Sequence, residues 1–441
     1  MKRARIGAFL AAAALAACGG GPATKTSEAP PPPPRIEKVA GIPDAAVKAF
    51  NGGIAGLEQS PPDYAAAAKG FEAATVAHVG YDAAWLNLAF AYGKLGRSAD
   101  AVKAYRKVIE KGNVPRAVQL DFGRALLVSG EVENAITEFE SVLRANPDDL
   151  GARNNLAAAY QTKGDTQTAL KYVKEVLAVQ PKNVPAIVNL GLIYMKQKEL
   201  PLAVLMFKKA IAFDEKNPHA HNNLGLAYYT LDDIPGAVEE FEKAISLDAT
   251  MDEARLNVAS IYLDYLDYAA ALPQFQAVRA RFPKSYVATI GEANALYGTA
   301  QYEQAAKAYE DSLETREDNT EALLRVGKIY EEQLNQPKKA LAFYIKYRDV
   351  AKVGPNDPIN STIQFLEQAD TLQKQPSTEE KPAEGTPSAD GAPAADGAPA
   401  AEAPASGAPE APVSAPPTGA PEVPASEPTS GAPAPATTAA P

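Results

Sequence analysis

One spacing governs what this chain can fold into. Alanine returns every 34 residues, at Ala67, Ala101, Ala135, Ala169, Ala203, Ala237, Ala271 and Ala305. Four residues after each comes a larger apolar side chain: Phe71, Tyr105, Phe139, Val173, Phe207, Phe241, Phe275 and Tyr309. Earlier in each period stands a small residue: Ala55, Ala89, Gly123, Ala157, Gly191, Gly225, Ala259, Ala293 and Gly327. Three positions later follow Tyr92, Leu126, Tyr160, Tyr194, Tyr228, Tyr262, Leu296 and Tyr330. A period of this length, held without slip, marks a solenoid whose units stabilise one another by stacking.

The second period reads Trp85-x2-Leu88-Ala89-x2-Tyr92, then Ala101-x3-Tyr105. This resembles the tetratricopeptide repeat (TPR), W-x2-L-G-x2-Y followed by A-x3-F and a proline. The resemblance implies an all-α fold, a right-handed superhelical solenoid of about nine helix-turn-helix units. Each unit is a pair of antiparallel helices, A and B. Small residues let their backbones approach closely, and aromatic rings fill the wedge between successive pairs. The units start at Lys48, Asp82, Arg116, Leu150, Val184, Pro218, Asp252, Tyr286 and Thr320. Pro147, Pro181 and Pro283 end B helices, because proline cannot continue a helix. Pro201 and Pro235 sit where B helices begin, a position that suits proline.

Some units depart from the pattern. The first has Glu58 where a tyrosine belongs, as expected of a capping unit with a polar face. The eighth has Glu292 at a normally apolar position, between Gly291 and Gly298. A buried carboxylate is costly alone, so either Glu292 finds a partner or this unit is loose. Glycine weakens helices, which favours the loose unit. Pro273 falls past the first turn of its B helix and is expected to shift or kink it. The ninth unit carries one extra residue, which delays its alanine to Ala340. Asp357-Pro358 then reads as an N-cap and first turn. Ile359, Ile363, Leu366 and Ala369 would form the apolar face of a helix capping the stack.

In the family, A helices line the inner face, and the sixth residue of each unit points inward. That position holds Asn87, Asn155, Asn189, Asn223 and Asn257, and the fifth adds Asn154 and Asn222. Asp121 interrupts the series, and Gly291 and Arg325 end it. A carboxamide both donates and accepts hydrogen bonds. Such a ladder would grip the main chain of an extended peptide whatever its side chains. The same asparagines are also read as tolerated polar residues on a helix face. Arg124 and Lys328 lie at inward positions but in distant units, so no two-carboxylate clamp of Lys, Asn and Arg is formed. The expected partner is a protein or extended peptide in the concave groove.

The ends differ from the middle. Residues 1–17 carry Lys2, Arg3 and Arg5, then an apolar run over Ile6–Leu15 that is far too short to span a bilayer. This reads as a secretory signal peptide. Leu15-Ala16-Ala17-Cys18 resembles the bacterial lipobox, which implies cleavage before Cys18 and acylation of its thiol; it is the sole cysteine. Two or more acyl chains hold a protein durably on a membrane. Gly19 follows the cysteine where inner-membrane lipoproteins of the family commonly have aspartate, which points to the outer membrane. Residues 18–43 are a Gly/Pro-rich tether, with Pro30–Pro34 a stiff rod. The solenoid and its cap take residues 44–374. Residues 375–441 are rich in Ala, Pro, Gly and acids, lack aromatics, and cannot bury a core.

The net charge is −11, the wrong sign for displacing phosphate counterions, so no nucleic-acid role is expected. His219-Ala-His221 is the nearest thing to a metal pair, but residues two apart on a helix face different sides. No catalytic residues, metal site, cofactor or small-molecule substrate are expected. These features imply a membrane-anchored protein-interaction scaffold in an envelope complex, facing the periplasm. The alanine-rich composition and domain order resemble the TPR lipoproteins of myxobacterial gliding motility. One alternative is a pilotin-like assembly lipoprotein for a type IV pilus secretin, although those are usually shorter and lack a long tail. Another is a periplasmic polysaccharide-export assembly factor, for which Tyr229 and Tyr297 would be stacking platforms, two units apart.

Overall fold

The structure, a computed structural model, describes residues 39–374 apart from residues 61 and 113. The signal peptide, Cys18, most of the tether and the tail lie outside the described residues. Among these residues the protein is entirely helical. Nine antiparallel pairs follow in order. They are α1 (Asp44–Leu57) with α2 (Tyr64–Ala77), α3 (Asp82–Lys94) with α4 (Ser98–Ile109), and α5 (Arg116–Val128) with α6 (Val132–Ala145). Next come α7 (Leu150–Lys163) with α8 (Thr166–Val179), α9 (Val184–Lys196) with α10 (Leu200–Phe213), and α11 (Pro218–Thr230) with α12 (Ile234–Leu247). Then come α13 (Asp252–Asp264) with α14 (Tyr268–Arg281), α15 (Tyr286–Gly298) with α16 (Tyr302–Thr315), and α17 (Thr320–Lys328) with α18 (Pro337–Ala351). A last helix, α19 (Pro358–Lys374), packs on α18 and buries Ile359, Ile363 and Leu366. From the second unit on, each A helix begins at the residue that the 34-residue step predicts. The first begins four residues early, at Asp44.

The period has a packing cause. Where the small residue of the A helix is glycine, the ring four residues after the recurrent alanine lies on it, as in Phe139 on Gly123, Phe207 on Gly191, Phe241 on Gly225 and Tyr344 on Gly327. A Cβ on Gly123 would meet the Phe139 ring at 2.4 Å, and one on Gly191 the Phe207 ring at 2.5 Å. Phe71, Phe139, Phe207 and Phe241 are sealed from water. A second link joins neighbouring units: the recurrent A-helix tyrosine donates to a glutamate 20 residues earlier on the preceding B helix. The pairs are Tyr92–Glu72 (2.5 Å), Tyr160–Glu140 (3.2 Å), Tyr262–Glu242 (2.5 Å) and Tyr330–Glu310 (2.7 Å). Burial and the adjoining carboxylate push the Tyr92 and Tyr330 hydroxyls up to about 12.

The turn between A and B helices needs a left-handed residue, and that too recurs every 34 residues. Gly96, Gly130 and Gly164 fill it first, then Lys198, Asp232, Leu266 and Ala300, all at positive φ. In the ninth unit the position slides by one, to Asn335. The extra residue is absorbed just before it, where α17 passes into a π-helical turn, Ile329–Gln333. Leu334 N there bonds Ile329 O at 3.0 Å, a five-residue step. A one-residue insertion accommodated by a π-turn leaves the flanking packing in register.

Two expectations about the later units are corrected. Pro273 does not shift its helix: α14 is continuous over 14 residues and starts in step with α12 and α16. Asp267 caps its N-terminus through Ala270 N, and buried Ala271, Phe275 and Val278 hold its face in place. Glu292 is not the mark of a loose unit. It receives Arg279 Nη1 at 2.7 Å and Gln276 Nε2 at 3.3 Å. The glycines of that unit make room for rings, since a Cβ on Gly291 would meet Phe275 at 2.3 Å and one on Gly298 would meet Tyr268 at 2.1 Å.

The solenoid also touches itself at long range. The α3–α4 turn reaches the end of α14: a Cβ on Gly96 would lie 2.8 Å from the Phe282 ring. In the same region Arg281 and Asp248 act electrostatically on Tyr64, and Lys94 on His219. The A–B turn of the second unit therefore lies against the end of the seventh unit's B helix.

Candidate protein-binding groove

Successive A helices from α5 to α15 touch one another, whereas B helices make no contact as close. Curvature follows: the A row forms the concave side. Side chains from both the fifth and sixth positions of these helices are buried there, namely Asn154, Asn155, Asn189, Asn222, Asn223 and Asn257. Asn87 is half-buried and donates to Ala83 O on its own helix at 2.8 Å.

The series divides by partner. Asn189 Nδ2 donates to Asn154 O at 3.1 Å, and Asn257 Nδ2 to Asn222 Oδ1 at 3.1 Å. These two asparagines tie each A helix to the one before it. Asn155 and Asn223, in the fourth and sixth units, keep a buried Nδ2 with no partner in the protein. An unpaired buried donor costs about 1–3 kcal/mol. Arg124 is held by Asp121, three residues earlier on α5, and burial raises the Asp121 carboxyl above its usual range. His221 has both ring nitrogens engaged, by Glu240 at 2.6 Å and Glu215 O at 3.2 Å. Among the described residues no group of three or more His, Cys, Asp or Glu could hold a metal ion, and no helix is long and apolar enough to cross a membrane.

The N-termini of the A helices carry a repeated cap that the sequence reading missed. Asp149, Asn183, Asn217 and Asn319 each accept the N–H of the residue three ahead, an alanine, at 2.8–3.0 Å. Ser285 caps Ala288 in the same way at 3.4 Å, so from Asp149 to Asn319 only Met251 interrupts the series, and this 34-residue spacing was the available signal. Asp149 is the most enclosed of them, its side chain 1% exposed, and is also bound by Arg116. Burial alone would raise its carboxyl. The Arg116 guanidinium and the Ala152 N–H outweigh that, so it sits below its ordinary value. A depressed carboxyl adds stability above its unfolded pKa of about 3.9, and loses it as pH falls through the lower folded value. Asp149→Asn keeps the cap and removes the charge. The variant melts at lower temperature than the parent at neutral pH, and thermal melts at stepped pH show the gap closing below about pH 4.

The fold and groove define a helical-repeat binding scaffold. Tetratricopeptide-repeat profiles match residues 82–110, 120–183, 218–251 and 290–352, and a further TPR-repeat profile matches residues 191–232. The chain belongs to the TPR family, whose members are generally non-enzymatic protein-interaction scaffolds. Comparison with curated proteins gave no match. Among solved structures it is similar to YrrB, described as a TPR protein with an unusual peptide-binding site, at 17% identity over 45% of this chain and 98% of that one, with a TM-score of 0.39. It is similar to the APC/C hetero-tetramer Cut9–Hcn1 at 13% identity, over 70% of this chain and 65% of that one, with a TM-score of 0.46. It is also similar to TTC0263, a thermophilic TPR protein of Thermus thermophilus, at 25% identity, over 42% of this chain and all of that one, with a TM-score of 0.38.

Proposed function

We propose that this protein is a lipid-anchored scaffold of the cell envelope, held on the outer membrane through Cys18 and facing the periplasm. Its concave A-helix row receives an extended segment of a partner protein, within an assembly of the gliding-motility kind. The observation that carries the binding reading is the pair of buried, unpartnered Nδ2 groups on Asn155 and Asn223. Each lacks an acceptor, and the carbonyl of an extended main chain supplies one to both. The lipobox Leu15-Ala16-Ala17-Cys18 supports the anchor. The alanine-rich composition and the order of anchor, solenoid and acidic tail support the motility setting.

The full chain, purified from detergent-solubilised membranes, tests both halves. Intact-mass analysis is expected to find an acylated N-terminal cysteine. Motility-complex proteins are expected to co-purify, and to be lost from an Asn155→Leu/Asn223→Leu variant that still folds. An unacylated chain, or a variant that keeps every partner, removes the anchor or the groove reading respectively. Recovery of secretin or polysaccharide-export components instead would reassign the assembly.

A further inference from the structure

We propose that the junction of the third, fourth and fifth repeats forms a separate peptide subsite, with Asn154 Oδ1 as the acceptor for a main-chain N–H. The inference rests on the protein-binding reading above and adds a place and a polarity to it. A cavity of about 1000 Å³ lies where the loops before α7 and α9 meet the first turns of those helices. Arg116, Leu150, Asn154, Gln180, Lys182 and Val184 are among its lining residues.

The orientation of the Asn154 amide is fixed by its neighbour. Asn183 Oδ1 already accepts Ala186 N at 3.0 Å as the cap of α9, so that atom is the oxygen. Asn183 Nδ2 in turn donates to Gln180 Oε1 at 2.9 Å. Asn154, at 3.0 Å from Asn183 Oδ1, must therefore present its nitrogen to it. Flipping the Asn154 amide would set oxygen against oxygen. Its Oδ1 is left buried, with no donor in the protein, in a residue only 5% exposed. The main-chain oxygen of Asn154 is held as well, by Asn189 Nδ2. The relay Asn154–Asn183–Gln180 thus fixes one unpaired acceptor beneath the wall of a cavity that Asn154 lines together with apolar Leu150 and Val184. A peptide N–H flanked by an apolar side chain matches both.

The test uses the folded full chain and two small amides. N-methylacetamide carries the N–H of a peptide bond; N,N-dimethylacetamide lacks it. In titrations followed by NMR, N-methylacetamide is expected to move the side-chain amide signals of Asn154 and Asn183, and N,N-dimethylacetamide to leave them in place. Asn154→Leu should abolish the response with little change in melting temperature, because loss of the Nδ2 bond to Asn183 is offset by loss of the unpaired Oδ1, and Asn183 keeps its cap on Ala186. The same variant should weaken retention of the co-purifying partner about tenfold, the worth of one charge-free hydrogen bond with its desolvation. Equal responses to the two amides, no response to either, or a stronger response to methyl glucoside would overturn the subsite. So would undiminished partner retention by Asn154→Leu. Absence of any partner with the unsubstituted chain would instead strike the scaffold reading, while the amide titration still judges the subsite.

Discussion

Phe207→Ala is expected to cost about 3–5 kcal/mol and to split unfolding into two steps. The ring is fully sealed, and it lies against Gly191 so closely that no Cβ fits between them. Removing it leaves a cavity that the A–B pair cannot close, because Ala203 and Ala210 on the same face are already at zero exposure. The fifth unit sits mid-stack, and apart from the contact between the second and seventh units each unit is stabilised by its neighbours. Weakening it uncouples the units on either side, so the halves melt separately. Chemical denaturation followed by far-UV circular dichroism checks this: one transition for the parent, two for the variant. The converse change, Gly191→Leu, forces the ring aside and should destabilise by about 1–3 kcal/mol. A loss under about 1 kcal/mol for Phe207→Ala would contradict the tight packing that the figure assumes.

How much of this was readable beforehand follows from what repetition can carry. The 34-residue step of Ala67 to Ala305 located the helices, because every unit meets the same neighbours and needs the same small residue under the same ring. The capping helix was legible for a similar reason: Ile359, Ile363 and Leu366 need a surface to cover. Contacts that break the step were not legible. The Phe282–Gly96 contact joins units far apart in the stack, and nearest-neighbour reasoning contains no such pair. The Tyr–Glu links, 20 residues apart, are hard to see in the sequence because Arg106, Lys174, Lys208 and Gln276 interrupt them. The asparagine series was visible as a series. Its division into Asn189 and Asn257, which tie helices together, and Asn155 and Asn223, which lack partners, depends on distances along the inner row.

Arg279→Met is expected to be the most damaging single change of charge in the solenoid, at about 3–5 kcal/mol. Arg279, on α14, holds Glu292 of α15 at 2.7 Å and also pairs with Asp311 of α16. It is the cation that lets a carboxylate occupy an apolar position of the eighth unit. Without it Glu292 stays buried, with only Gln276 at 3.3 Å for company. Removing one partner of a buried pair leaves an uncompensated charge, whereas replacing both by apolar side chains is often neutral. The double variant Arg279→Met/Glu292→Leu should therefore regain most of the loss, to within about 1 kcal/mol of the parent. Hydrogen exchange separates this account from a loosely packed unit. In the parent, the amides of α15 should be protected as well as those of α11, whose centre has no buried carboxylate. In Arg279→Met, protection should fall in α15 and α16 and persist in α11. If α15 already exchanges freely in the parent, the ion pair stabilises little, and the eighth unit is the weak point its glycines first suggested.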